Sequence, residues 1–371
     1  MQSYKIYPYF SKNKYEMTEE REIAGFVLPL AAGIALCNTF SDKFIQHWLS
    51  FLSLSLIGLC MVLAHIYKGK NKIQIVLCIY MAFFLGIFCM STCKSQIPET
   101  IKNTSLSIVW IQDKLPFKNE TTSGIISAFI TGDKSGLDKS TKDIFRKSGA
   151  SHLLALSGLH LGMIYLIIQK TLAILGKSIF ARWIRYILLV LSTGLYTYLT
   201  GASPSLVRAF LFILLRETSI LVCRPQASGQ ILMAALTIQL LIKPSSLFSL
   251  GFQLSYLAVL GITYIYPRLK LCWQEDPNER TSWMGRLWNS ACLVISCQIT
   301  TAPLAWIKFG SFPSHFLIAN ILAIPLAGII MPMTLLCITL NCIGFCPEVI
   351  VDMTERMTSA LLNILSIISH M

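Results

Sequence analysis

Apolar runs separated by short polar turns, many of them bearing proline or glycine, fill most of this chain. They lie at 23–40, 48–67, 73–92, 152–175, 183–200 and 205–222, and then at 230–242, 247–266, 287–307, 315–340 and 349–368. About ten or eleven reach the length of roughly 20 residues that a helix needs to cross a hydrocarbon core ~30 Å thick. The pattern predicts an all-α fold, a polytopic helical transmembrane bundle with some of its helices broken. The expected organisation is an N-terminal tail over 1–22, N-terminal transmembrane segments over 23–93, an extracytoplasmic linker with short helices over 94–151, and a transmembrane core over 152–371.

Composition strengthens this reading. Of 371 residues, 54% are hydrophobic and 13% charged, with a mean hydropathy of +0.62. Soluble domains carry about 25% charged residues. Length alone would suggest two or three soluble domains, and the apolar runs overrule it. The first twenty residues, MQSYKIYPYFSKNKYEMTEE, are polar and contain no small-residue cleavage site. The first apolar run is therefore expected to stay as a span and not to leave as a signal peptide. Twelve cysteines are scattered through apolar runs, among them Cys37, Cys60, Cys78 and Cys297, without a C-x-x-C pair. They read as small buried hydrophobes, although Cys89/Cys93 and Cys342/Cys346 sit at spacings that share a helix face.

Charge sets an orientation. Lys5, Lys12, Lys14 and Arg21 crowd the N-terminal tail, and Lys68, Lys70 and Lys72 the second turn, whereas the first turn holds only Lys43. Lysine and arginine resist translocation, so the tail is expected on the cytoplasmic side of the membrane. The turns with Lys177, Arg182 and Arg185, with Arg224, and with Arg268, Lys270, Arg280 and Arg286 fall on the same side. The segment 94–151 carries about nine basic residues against the rule, which long translocated segments obey poorly. The net charge of +13 fits this topology first, and a polyanionic partner second.

Within 94–151, residues 107–115 suit an interfacial strand or helix start anchored by Trp110. Two short helices follow. Ile125, Ile126, Ala128 and Phe129 form the stripe of the first, and 138–146 the second, with Leu137, Ile144 and Phe145 as contacts. The sequence Gly132-Asp133-Lys134-Ser135-Gly136 between them lacks the spacing of a phosphate loop and reads as a turn.

The stretch SGASHLLALSGLHLG, 148–162, brings candidate chemistry to the mouth of a span. On a regular helix His152 and His160 stand roughly 12 Å apart along the axis, too far to share one metal. Ser157 and His160, three residues apart, are in reach of a hydrogen bond, as a nucleophile and base would be. No carboxylate lies near them in sequence, and ALSGL is not the G-x-S-x-G elbow. Small residues including Gly158 instead suit close packing or a helix break beside a cavity. TGASPSLVRAF, 200–210, repeats the logic: Ser203 and Pro204 precede a span, and Arg208 sits about a turn inside it. Arg208 either snorkels to the headgroups or faces inward as a fixed cation for an anionic cargo. In 251–261, Gln253 and Ser255 make interhelical hydrogen bonds or line a path. Pro303, Pro325 and Pro332 suggest further helix breaks. The candidate lining residues are thus His152, Ser157, Gly158, His160, Ser203, Pro204, Arg208, Gln253 and Ser255. No metal, cofactor or catalytic residue is expected.

Five stretches in order, GDKSGL (132–137), FRKSGASHLLALSGLHLG (145–162), TGASPSLVRA (200–209), SLFSLGFQLSYLAVLG (246–261) and FGSFPSHFLIANILAIPLAG (309–328), resemble the membrane core of the ComEC family of competence proteins. The resemblance implies a channel in the bacterial cytoplasmic membrane that imports single-stranded DNA during transformation. It leaves room for separate DNA-binding, nuclease or motor proteins beside the lipid bilayer, and for a homodimer. Full-length members carry an OB-fold domain and a metallo-β-lactamase-like domain. The short interval after Met90 and the lack of an H-x-H-x-D-H motif lead us to expect the membrane module alone. A transporter or exporter of another substrate on the same scaffold is the alternative reading, and an intramembrane hydrolase built on Ser157 and His160 the weakest.

Overall fold

The computed structural model describes residues 25–40, 43–68, 70–94, 114–155, 157–176, 178–224, 226–272, 283–310 and 315–370. The tail 1–22 and the anchor Trp110 lie outside the described residues. Among the described residues, each apolar run carries a helix. In chain order these are α1 (Gly25–Thr39), α2 (Lys43–Ile66), α3 (Asn71–Lys94), α4 (Glu120–Thr131), α5 (Lys139–Lys147) and α6 (Gly158–Leu172). Then come α7 (Ile179–Leu199), α8 (Pro204–Leu221) and α9 (Ser228–Ile242), α10 (Leu250–Lys270), α11 (Trp283–Phe309), α12 (Phe316–Cys342) and α13 (Glu348–His370).

Among the described residues, seven helices are long and apolar enough to span a membrane: α2, α3, α6 with its 3₁₀ extension, α7, α10, α11 and α12. The other four apolar runs fall short for two reasons. α1 and α9 are shorter, and the 15 residues of α9 rise only ~22 Å. α8 carries Arg208, Arg216 and Glu217, and α13 carries Glu348, Asp352, Glu355 and Arg356. On the outside of α2, Trp48, Phe51, Leu52, Met61 and Val62 are exposed, an apolar face that only lipid would cover. This is a multi-pass membrane protein.

Two expectations about breaks need correction. The span over 152–175 begins as a helix only at Gly158, because Gly149 at φ 82° and the turn over 151–155 intervene. His152 therefore lies in that turn, exposed, and the regular-helix spacing to His160 does not apply. Pro303, Pro325 and Pro332 interrupt nothing: they sit inside the continuous helices α11 and α12. The irregular turns lie elsewhere. α6 tightens into a 3₁₀ turn over Ala173–Leu175, and α10 widens into a π turn over Gly261–Ile265. Pro267 follows that π turn. Its ring has no N–H to give and would crowd the carbonyl four residues back, which the wider turn relieves.

The described residues group into two compact units, one drawn from Met1–Thr100 and Cys223–Gln253, the other from Ile101–Val222 and Leu254–Met371. In the first, α1 and α3 cross at reciprocal glycines. A Cβ on Gly33 would strike the Phe83 carbonyl oxygen, and one on Gly86 the Leu30 carbonyl oxygen. Backbones this close are how membrane helices gain packing without a hydrophobic drive. α2 packs on α3, and the 3₁₀ helix Pro244–Phe248 packs on α3 as well.

In the second unit α4 is a buried helix. Ile125, Ile126, Ala128 and Phe129 are 0% exposed, and they pack with Phe145, Leu153, Ala323, Ala327, Leu361 and Leu365 of α5, α12, α13 and the turn after α5. Its ends are satisfied locally. Asn119 caps the start by accepting from Thr121 N–H at 3.0 Å, and Gly132 closes the end at φ 73°, a left-handed conformation that glycine adopts without strain. Glu355 of α13 also accepts from the backbone N–H of Lys118 at 2.7 Å. The 132–136 segment is the expected turn, with Asp133 Oδ1 accepting from Ser135 N–H at 3.0 Å. A second cluster joins α6, α7 and α8 through Leu161, Tyr165, Leu189, Leu206 and Ile213. Of the twelve cysteines, all free, Cys37, Cys60, Cys292 and Cys337 are buried, while Cys78, Cys223, Cys272 and Cys342 are exposed. The reading of buried small hydrophobes holds for only part of the set.

Candidate functional site

Three helices of the second unit bring the most unusual side chains together. Ser203 and Pro204 start α8: Ser203 Oγ accepts from Leu206 N–H at 3.4 Å, and Pro204 occupies the first turn, where its missing N–H leaves nothing unpaired. This cap fixes where α8 begins and so places Arg208 one turn in. Arg208 is 5% exposed. Its guanidinium lies over the ring of Tyr256 on α10, 5.3 Å from the centroid, and its Nη1 has no hydrogen-bond partner. Among the described residues no carboxylate forms an ion pair with it. Of the two readings of Arg208, snorkelling to the headgroups does not fit a buried guanidinium. Ser205 and Ser255 tie the same two helices, Oγ to Oγ at 3.4 Å, so Ser255 makes the interhelical contact.

α6 enters this contact by its first residue. A Cβ on Gly158 would come within 3.2 Å of the Ala209 Cβ and 3.7 Å of Arg208 Nη2. The tighter of the two contacts is with Ala209, so glycine lets the start of α6 pack closely on α8 beside the guanidinium.

The Ser157 and His160 pair forms, and it forms as a helix cap. His160 is 0% exposed. Its Nδ1 accepts from the main-chain N–H of Ser157 at 3.2 Å and lies 3.2 Å from Ser157 Oγ. His160 stands at the third helical position, where glutamate or glutamine usually reaches back in a capping box. With Nδ1 accepting, the ring proton sits on Nε2, and Nε2 has no partner. In a serine triad a carboxylate holds the imidazole through that second nitrogen, and among the described residues none meets Nε2. The ring instead lies near Phe129, centroids 5.9 Å apart. Gln253 acts locally, its Nε2 donating to the Leu247 carbonyl at 2.9 Å.

Sequence reasoning missed Glu217. It is 8% exposed near the far end of α8, and Tyr165 of α6 donates to its Oε1 at 2.5 Å. The signal was available, since an ionisable residue inside an apolar run is a candidate by default. Tyr256 was missed too, although it stands in the same stretch as Gln253 and Ser255. Tyr196 of α7, partly buried, donates to the Ile130 carbonyl at 2.8 Å and so ties α7 to the end of α4.

Comparisons with known proteins bear on these helices. The family model described as Competence protein matches residues 129–371. The chain is similar to ComE operon protein 3 of Bacillus subtilis (strain 168), 28% identical over 220 residues, covering 58% of this chain and 25% of that protein. It is also similar to Recombination protein 2 of Haemophilus influenzae, 24% identical over 271 residues, covering 70% of this chain and 34% of that protein. The chain therefore spans between a quarter and about a third of the length of these relatives. No solved structure matches it. Because the competence model runs from α4 to the end of α13 and takes in every helix around Arg208, the chain belongs to the competence-protein family.

Proposed function

We propose that this chain takes part in DNA uptake in competence as a membrane channel segment through which single-stranded DNA passes. The observation that carries the reading is the competence-family match over 129–371, the region that holds α6, α8 and the Tyr256 end of α10. Arg208 gives the reading its chemistry. A cation buried without a carboxylate is costly, and its retention is intelligible where an anionic cargo completes it. Backbone charge and an aromatic surface are what a single strand of any sequence offers and needs. Ser203, Pro204, Gly158 and Ser255 place the helices around that cation, and Ser157 with His160 caps α6 in place of acting as a nucleophile. His152 and Gln253 remain lining candidates on sequence grounds alone. The membrane is a bacterial cytoplasmic membrane with the N-terminus on its inner side, a reading supported by the lysines at 68, 70 and 72 through the positive-inside rule.

The test is deletion of the gene in a transformable host, followed by uptake of labelled DNA. Loss of uptake, restored by the wild-type gene and not by Arg208→Ala at equal protein level, is the expected result. Normal transformation in the deletion strain overturns the reading, and altered export of another solute in that strain points to a repurposed scaffold.

A further inference from the structure

The start of α6 and the buried arginine of α8 meet at one place, and each leaves hydrogen-bond donors unused there. α6 has 15 residues, so its first amides have no carbonyl a turn back and carry the positive end of its dipole. His160 and Ser157 satisfy two donors of this end between them, through Ser157 N–H to Nδ1 and His160 N–H to the Ser157 carbonyl at 3.1 Å. The amides of Gly158 and Leu159 remain. Beside Gly158 stands Arg208, 95% buried on an exposure of 5%, with Nη2 at 3.7 Å from where a Cβ would be and Nη1 unpartnered. The one buried carboxylate among the described residues, Glu217, is nine residues further along α8. That is about 13 Å of rise away, and it is bonded to Tyr165. Among the described residues no anion answers this cluster.

We propose that Arg208, together with the Gly158 and Leu159 amides, forms a subsite for one phosphodiester group of a nucleic-acid strand, and that Gly158 is the residue that sets its size. This rests on the DNA-uptake reading and adds a site to it. Helix N-termini and guanidinium groups both match phosphate oxygens. A singly charged phosphodiester offers two oxygens, one for the amides and one for the guanidinium fork. The Tyr256 ring holds the guanidinium plane from its other face. Buried as it is, the guanidinium meets a phosphate only when α6 and α8 part, so the subsite also closes the contact between them when no strand is present. A Cβ at 158 would press on the Ala209 Cβ at 3.2 Å and touch Nη2 at 3.7 Å, and it would narrow the space between the helix start and Arg208 that a phosphate enters. Ser157 and His160 are positioning residues, since they hold the amides of the first turn without touching the phosphate.

The experiment uses the full chain in phosphatidylcholine nanodiscs and a fluorescent oligothymidylate of about 20 nucleotides. Wild type should bind it with an affinity that falls steeply from about 50 to about 200 mM salt. Arg208→Gln should weaken binding about tenfold and reduce the salt slope by about 0.7, the value for one lost single-strand phosphate. Arg208→Lys should recover part of the affinity, and Gly158→Ala should weaken binding with the salt slope retained. A methylphosphonate oligonucleotide, which lacks the charge, should bind wild type and Arg208→Gln equally weakly. No wild-type binding overturns the uptake reading and the subsite together. Wild-type binding that Arg208→Gln leaves unchanged overturns the subsite alone. Displacement of the oligonucleotide when phosphatidylglycerol replaces phosphatidylcholine, lost in Arg208→Gln, assigns the site to a lipid phosphate and overturns its assignment to the strand. An Arg208→Gln protein that fails to fold leaves the Gly158→Ala and methylphosphonate arms to decide.

Discussion

One helix, α8, buries a charge near each end, and the two charges are treated differently. Glu217 accepts a hydrogen bond from Tyr165 at 2.5 Å across the α6 contact. Arg208 meets an aromatic face and keeps an unpartnered Nη1. Both are below 9% exposed, so burial alone does not distinguish them. Satisfaction does. A buried group whose donors and acceptors are answered from within explains itself as packing, whereas a buried cation left open costs stability that packing does not return. The closed pair is accounted for by the architecture, and the open one is the end of α8 on which the proposed function rests.

Mutation should separate the two ends, and the largest effect belongs to the open one. Arg208→Met should lower DNA uptake in cells at least about tenfold, and it should hold or raise the thermal midpoint of the purified protein. An apolar side chain of similar length replaces an unpaired cation there, a change that often stabilises. Full uptake by the variant would move Arg208 to the structural side of the comparison. Glu217→Ala should do the reverse. Tyr165 loses a charged acceptor, a loss of about 1.5–3 kcal/mol, and uptake should fall only as far as protein level does, as immunoblots beside uptake counts would show. Ser157→Ala should cost about 1 kcal/mol or less, the scale of a weak cap, with no change in labelling by a serine-reactive probe; loss of labelling would revive the nucleophile. The double variant Arg208→Met with Glu217→Ala should be additive to within about 0.5 kcal/mol, because the sites share no partner. A larger coupling in a chemical-denaturation cycle would mean that the two ends of α8 work as one.

The smallest effect comes from a solvated charge that serves as the control. Asp138 caps α5, and hydrogen bonds from the side chain of Ser140 and then from Thr141 hold its carboxyl below the ordinary carboxylate value. A lowered native value contributes stability above the ordinary range and loses it as pH falls through the native value. Asp138→Asn should therefore lower stability slightly at neutral pH, where the carboxylate's contribution is present, and leave it nearly unchanged at acid pH, so that the acid limb of the stability profile flattens. Unfolding midpoints measured from neutral to acidic pH check the sign.

Most of the helix boundaries were legible because spans of apolar residues carry their own punctuation. Asp138, Ser203 and Pro204 mark starts, and Gly132 marks an end. The small residues around 158 and 203 marked places of close packing or a break, and which helices meet there was not legible. The break before α6 was misplaced by six residues, since His152 to Ala155 read as apolar as the helix that follows. The three internal prolines were overread. Within a bundle, neighbouring helices and side chains re-satisfy what proline frees, and nothing local records that. Glu217 stands beside Arg216 in the sequence, and nothing local records that Tyr165 of another helix meets it.

By itself the sequence determined that the chain is a helical membrane protein, roughly where most of its helices lie, and which residue types stand at the mouth of α6 and α8. Those follow from hydropathy, caps and spacing, all of them properties of a few neighbouring residues. Only the tertiary structure decided that Ser157 and His160 close a helix cap, that Glu217 has a partner, and that Arg208 lies buried between Gly158 and Tyr256 with no carboxylate paired to it among the described residues. Each of these depends on a group from another helix being present or missing, and a buried charge acquires its meaning from what the packing brings to it.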